Sequence, residues 1–160
     1  MVVGNYPLER IVHVKKARCG DIEVCYDVRG KGFPLVMIMG LGGSMDWWDP
    51  RLIRETSERY MKVIFDNRGA GRSDAPKIDY SIRMFSDDTA KLMDTLTVQK
   101  AHVLGISMGG MIAQEFTLAY PERVEKLVLC STHCVAGQSV PAAPAILNSL
   151  SGWASETLDD

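Results

Sequence analysis

The chain has 160 residues, and 18 Lys and Arg against 20 Asp and Glu leave a formal net charge of −2. With 46% apolar and 24% charged residues, its composition is that of an ordinary globular protein. A chain of about 150 residues buries roughly two-thirds of its unfolded surface, so one domain with a sizeable core is expected. The charge balance offers no field to draw in nucleic acid or an anionic membrane, and neither is expected as a partner. The longest apolar run, residues 33–41, is far short of the roughly 20 residues that span a bilayer. The start, Met1-Val2-Val3-Gly4-Asn5-Tyr6-Pro7, has no basic stretch ahead of an apolar one, so a cytoplasmic protein is expected. Cys19, Cys25, Cys130 and Cys134 lie in strand-like or strand-end contexts and are expected to be buried free thiols. The cluster Cys130-Ser131-Thr132-His133-Cys134 has no second ligand pair elsewhere, so no metal is expected.

In chain order, residues 11–18 and 22–28 are rich in β-branched side chains and flank Cys19-Gly20-Asp21, which predicts an antiparallel hairpin. After Arg29-Gly30-Lys31-Gly32, the apolar run 34–39 predicts a strand buried on both faces. Asp49 is placed to cap a helix with Pro50 at its first position, Leu52 and Ile53 facing inward. Residues 62–65 form the next buried strand, and 66–74 a glycine-rich loop. From Ser81, Ile82, Phe85, Thr89, Leu92 and Leu96 repeat at helical spacing. Residues 101–105 are a third buried strand, followed by a helix from about 108 to 120 that Pro121 stops. Residues 126–130 are a fourth. Strand and helix alternating in this way predict an α/β fold: a mostly parallel sheet with an N-terminal antiparallel hairpin and helices on both faces. Residues 1–135 form this core. Residues 136–160 read as a Gly/Pro/Ala-rich loop and the start of a further segment, with Ile146, Leu147, Leu150, Trp153 and Leu158 on one face of a short helix.

Gly105-Ile106-Ser107-Met108-Gly109 matches G-x-S-x-G where a buried strand meets a helix. A serine on such a turn holds its hydroxyl above the sheet edge, and the flanking glycines leave room for the turn. The helix beginning at Met108 points its N-terminal N–H groups at whatever Ser107 attacks. The plainer alternative is a serine that only caps this helix. Met39-Gly40-Leu41-Gly42-Gly43-Ser44 ends the earlier strand. Acyl transfer places negative charge on a former carbonyl oxygen, and two backbone donors aimed at it lower the barrier. The Met108 N–H is one candidate, and the Leu41 N–H the other. The alternative for this loop is a dinucleotide-binding turn, but Met45 stands where the third glycine belongs.

These blocks, with Asp66-Asn67-Arg68-Gly69-Ala70-Gly71-Arg72-Ser73 and Tyr120-Pro121-Glu122-Arg123-Val124, resemble the α/β-hydrolase superfamily, in particular its esterase, enol-lactonase and haloperoxidase-like branch. The resemblance runs from about residue 20 to 134. It implies a serine hydrolase acting on a small carboxylic ester or lactone, with Ser107 as nucleophile, an oxyanion hole of the Leu41 and Met108 N–H groups, no cofactor, and a cap begun by the segment 146–153. Trp47 and Trp48 belong either to the acyl pocket or to the core. Met39 departs from the pattern, since the family often has histidine there.

A serine nucleophile needs a base and an orienting carboxylate, which in this family follow it in the chain in the order acid, then histidine. Only His13, His102 and His133 are present. His13 and His102 read as packed or solvated. His133 follows the strand beside that of Ser107 and is the candidate substitute base. Asp66 and Asp74 are expected to fix backbone with Arg68 and Arg72, and Glu115, Glu122 and Glu125 to be solvated. Two further strand–helix units, at roughly 30 residues each, would be needed to add acid and base. The sheet would otherwise end at residues 126–130 with a bare edge. The chain therefore reads as an incomplete α/β-hydrolase core, lacking the acid and histidine of the triad. Three explanations stand: part of a split, cleaved or truncated hydrolase completed by a second polypeptide, a non-catalytic binding module that self-associates through the bare edge, or a minimal enzyme using His133.

Overall fold

The computed structural model describes residues 14–134. Strands β1 (Lys15–Cys19) and β2 (Ile22–Arg29) form the expected hairpin, with Ala17 opposite Val24 and Cys19 opposite Ile22. Next come β3 (Phe33–Ile38), α1 (Pro50–Ser57), β4 (Tyr60–Phe65), α2 (Ile82–Thr95), β5 (Ala101–Ile106), α3 (Met108–Ala119) and β6 (Val124–Cys130). The six strands make one sheet in the order β1-β2-β4-β3-β5-β6. β2 is antiparallel to β4, and β4, β3, β5 and β6 are mutually parallel. This is the mixed, mostly parallel sheet with an N-terminal antiparallel hairpin that the sequence predicts.

Alternation along the strands sends side chains to two cores. On one face Val24, Val36, Ile38, Val63 and Phe65 meet Phe85 and Leu92 of α2 and Ile112 and Phe116 of α3. On the other, Leu35, Met37 and Ile64 pack with Trp48 and with Ile53 of α1. The helix starts are those the sequence marks: the Asp49 carboxylate accepts from the Arg51 N–H at 2.7 Å, and Ser81 Oγ accepts from the Met84 N–H at 3.2 Å. Several strands begin or end a residue or two away from the expected bounds. Leu52 corrects the reading of α1, because it is 37% exposed while its neighbour Ile53 is buried. Adjacent helical residues point about 100° apart, so a short helix that centres Ile53 on the sheet leaves Leu52 at its flank.

The cysteines are free, but only Cys19 and Cys25 are buried. Cys130 is half-buried and Cys134 exposed, which corrects the expectation of four buried thiols. Both lie on or beyond β6, at the sheet margin, where Val128 and Leu129 remain 44% and 43% exposed. Lys62 is the opposite case, a lysine wholly buried within the apolar strand β4. Its Nζ donates to the Ile53 carbonyl and to Ser57 Oγ, both on α1. Among the described residues, no helix is long and apolar enough to cross a membrane. The segment 136–160 and His13 lie outside the described residues.

The chain order has one consequence for function. After β3 the chain adds β4 on one side, then crosses to add β5 on the other. In open α/β sheets the crevice outside the carboxyl ends of two such strands is where ligands bind. Ile38 ends β3 directly beside Gly105 of β5, so the loops leaving these two strands share that crevice.

Candidate active site

Ser107 lies between β5 and α3 with φ 55° and ψ −125°. A non-glycine residue there carries strain of order 1–3 kcal/mol, which persists only where its surroundings over-determine it. Here they do. The Ser107 N–H donates to the Cys130 carbonyl at 3.0 Å, and the Ser107 carbonyl accepts from the Gly110 N–H at 2.9 Å and from Thr132 Oγ1 at 2.7 Å. Gly105 and Gly109 are required by close approach. A Cβ at Gly105 would strike the Gly109 carbonyl, and one at Gly109 would strike the Ile38 carbonyl at the end of β3. The Ser107 side chain makes no capping hydrogen bond to α3, so its hydroxyl is not held as the plain helix cap would hold it.

Residues 39–45, which leave β3, reach the same place. A Cβ at Gly40 would lie 3.0 Å from Ser107 Cβ and 3.4 Å from its Oγ. Leu41 follows with its residue surface 75% exposed, and Met108 opens α3, where the first N–H groups have no intrahelical acceptor. The Met39 carbonyl accepts from Asn67 Nδ2 at 3.0 Å, and the Met45 N–H donates to Asp66 Oδ1 at 2.6 Å. Trp48 is buried against Met45 and Ile53, whereas Trp47 beside it is 54% exposed. The structure therefore assigns Trp48 to the core and leaves only Trp47 at the surface.

The expected roles of the loop 66–74 are seen in its bonds. Asp74 Oδ2 accepts from the Glu23 N–H at 2.9 Å. Arg68 makes a two-bond pair with Asp88 at 2.7 and 2.8 Å and reaches Asp21. Those partners hold the guanidinium firmly charged, and the Asp21 carboxyl below its usual range. Glu115 pairs with Arg83 and Glu125 with Lys100. His102 packs its ring against Phe33 and Tyr60, with centroids 4.8 and 5.6 Å apart, at the end of β5 remote from Ser107.

His133 is exposed on the loop after β6, beyond the Thr132 that touches Ser107. Its Nδ1 lies 2.7 Å from the Cys134 carbonyl. A carbonyl only accepts, so Nδ1 is the donor in that contact. Gln114 Nε2 of α3 donates to the His133 carbonyl at 3.1 Å. Among the described residues, no hydrogen bond joins the imidazole to Ser107. Ser107, Leu41 and Met108 thus share one crevice, with His133 on an adjoining loop. Sequence reasoning gave no role to Thr132 or Asn67. The only sequence signal for either is its position as a polar residue shortly after a buried strand.

A family model described as alpha/beta hydrolase fold matches residues 34–160. A protein of Azorhizobium caulinodans named as a carbamate hydrolase, RutD, is 35% identical over 113 residues, which cover 71% of this chain and 42% of that protein. A protein of Mycobacterium tuberculosis named as a non-heme bromoperoxidase, BpoC, is 38% identical over 112 residues, covering 69% of this chain and 42% of its own length. The crystal structure of an enol-lactonase from Burkholderia xenovorans LB400 superposes with a TM-score of 0.71 at 30% identity, over 74% of this chain and 46% of that one. The chain thus spans less than half the length of each of these three relatives.

Proposed function

Because the chain belongs to the alpha/beta hydrolase fold family, we propose that it carries the nucleophile half of a serine hydrolase acting on small carboxylic esters or lactones. The observation that carries this reading is Ser107 itself, held at φ 55° on the turn from β5 to α3 with Gly40 against its side chain. In the reaction a base takes the hydroxyl proton while Ser107 Oγ attacks the carbonyl carbon. The carbonyl oxygen becomes an oxyanion that the Leu41 and Met108 N–H groups hold. The alcohol departs with the proton, leaving an acyl-enzyme, and an activated water releases the acid. Removing one such donor typically lowers the rate about 10²–10³-fold. An enol-lactonase among the similar structures supports the ester or lactone class.

The base and its orienting acid are assigned to the part of the family's length that this chain does not span. The margin strand β6, with Val128 and Leu129 exposed on its opposite faces, supports a partner there. His133, on the loop after β6, is the substitute base if the chain acts alone. The four free thiols support a reducing, cytoplasmic setting.

Hydrolysis of a short p-nitrophenyl ester, abolished by Ser107→Ala, tests the reading. Activity of the purified chain assigns the base to this chain. Activity only after a second polypeptide is added assigns it to that partner. Failure of a fluorophosphonate to label Ser107 in any assembly would sink the hydrolase reading. A second reading, a non-catalytic module that pairs through β6, is favoured by the same exposed Val128 and Leu129. It requires self-association that a charged substitution at Val128 abolishes, with no labelling of Ser107.

A further inference from the structure

The segment 39–45 is poorly suited by composition to hold anything still. It contains Gly40, Gly42 and Gly43, with Gly42 at φ 68° and open space where its Cβ would be. Its one internal backbone bond, from the Gly43 N–H to the Gly40 carbonyl, is 3.3 Å long. Yet an oxyanion donor works only if it is already in place when charge develops, because reorganisation at that moment would consume the gain.

The restraint comes from outside the segment, from two consecutive residues at the exit of β4. Asn67 Nδ2 donates to the Met39 carbonyl at 3.0 Å, and Asp66 Oδ1 accepts from the Met45 N–H at 2.6 Å. Both side chains are buried. Asp66 Oδ2 also accepts from the Arg72 N–H at 2.8 Å, and Arg72 Nη2 reaches Asp46 Oδ2 at 2.6 Å. The residue types suit the task. A carboxylate has enough acceptor sites to bridge two stretches of backbone, and an amide can donate to a carbonyl where a carboxylate cannot.

We propose that Asp66 and Asn67 are positioning residues for the oxyanion donor, gripping the segment 39–45 at both ends so that the Leu41 N–H stays beside Ser107. This rests on the reading of Leu41 as a donor to the substrate oxygen. The clamp acts through the backbone and touches no substrate, so its loss affects the transition state and leaves ground-state binding alone.

Two measurements test it. ¹⁵N relaxation on the whole 160-residue chain reads the loop directly. The wild-type Leu41 and Gly42 amides should have order parameters near those of rigid backbone, about 0.85. In Asn67→Asp, which sets one acceptor against another, they should fall below about 0.6 while Ser107 and Met108 stay unchanged. Asp66→Asn, which keeps one oxygen for the Met45 N–H, should show a smaller loss and serves if the first variant does not fold. In whichever assembly turns over an ester, kcat per phosphonate-labelled serine should drop about 10²-fold in Asn67→Asp with KM unchanged. A clamp that only stabilises the fold would lower the melting temperature and leave kcat per labelled serine as it was. A mobile Leu41 amide in the wild type, or a rigid one in folded Asn67→Asp, overturns the proposal. If no assembly labels Ser107, the hydrolase reading fails, and the relaxation data still decide whether the clamp exists.

Discussion

Thr132 Oγ1 donates to the Ser107 carbonyl at 2.7 Å, so the loop leaving β6 holds the strained residue at the end of β5. Cys130 holds the other side of the same residue by accepting its N–H at 3.0 Å. The backbone group bound by Cys130 cannot be removed by mutation, but the Thr132 hydroxyl can. Thr132→Val should destabilise the chain by about 1 kcal/mol, the usual contribution of one such bond. It should also slow fluorophosphonate labelling of Ser107, and Thr132→Ser should restore both. Equal labelling by the valine and serine variants would show that the hydroxyl does not steady the turn.

Gly109→Ala sets two effects against each other. Alanine is the better helix former by about 1 kcal/mol. Its Cβ, however, would strike the Ile38 carbonyl and lie 2.7 Å from the Met39 oxygen, with backbone on both sides that cannot yield. Overpacking of this kind costs about 1–3 kcal/mol, so a lower midpoint of urea unfolding is expected. A midpoint at or above that of the wild type would mean that α3 can move away from β3.

Arg68 and Asp88 are a buried pair whose partners cannot be removed singly without penalty. Asp88→Ala leaves the guanidinium with only exposed Asp21, and should cost about 3–5 kcal/mol. Replacing both residues together, as Arg68→Met with Asp88→Leu, should recover most of that loss. Unfolding free energies of Arg68→Met, Asp88→Leu and the double variant form the cycle that checks it. A double variant as unstable as the worse single would show that the pair is doing more than satisfying itself.

Lys62 predicts a dependence on pH. Burial, helped by the charge of Arg29, pushes its ammonium down to about 8 from an unfolded value of 10.5. Between those values the unfolded chain holds a proton that the folded chain has released, so stability rises with pH. The rise should be about 1 kcal/mol between pH 8 and 9. Below pH 8 the full penalty of the buried charge is present. Cys19 acts the other way above pH 9, because burial and then the charge of Asp88 push its thiol up to about 11. The difference in unfolding free energy between wild type and Lys62→Met isolates the lysine. A difference that stays flat from pH 8 to 10.5 would show that Lys62 titrates normally.

Much of this architecture is written in local sequence. The alternation of apolar strands with helices, the caps Asp49 and Ser81, and Pro121 at the end of α3 depend on neighbours a few residues apart. The same holds for Gly105-Ile106-Ser107-Met108-Gly109, whose glycines and serine can be read as a turn before any contact is known. Several boundaries moved by a residue or two, and Leu52 moved to the flank, because those depend on how the elements pack against the sheet.

Tertiary structure decided the rest, because it depends on pairs far apart in the chain. Only the strand order brings Ile38 beside Gly105, and with it the segment 39–45 against Ser107. Only the packed fold shows why an apolar strand tolerates Lys62, whose partners lie on α1. Asn67 and Thr132 are ordinary polar residues in the sequence. They acquire their roles through bonds to carbonyls 28 and 25 positions away, and no local pattern encodes a distance of that kind.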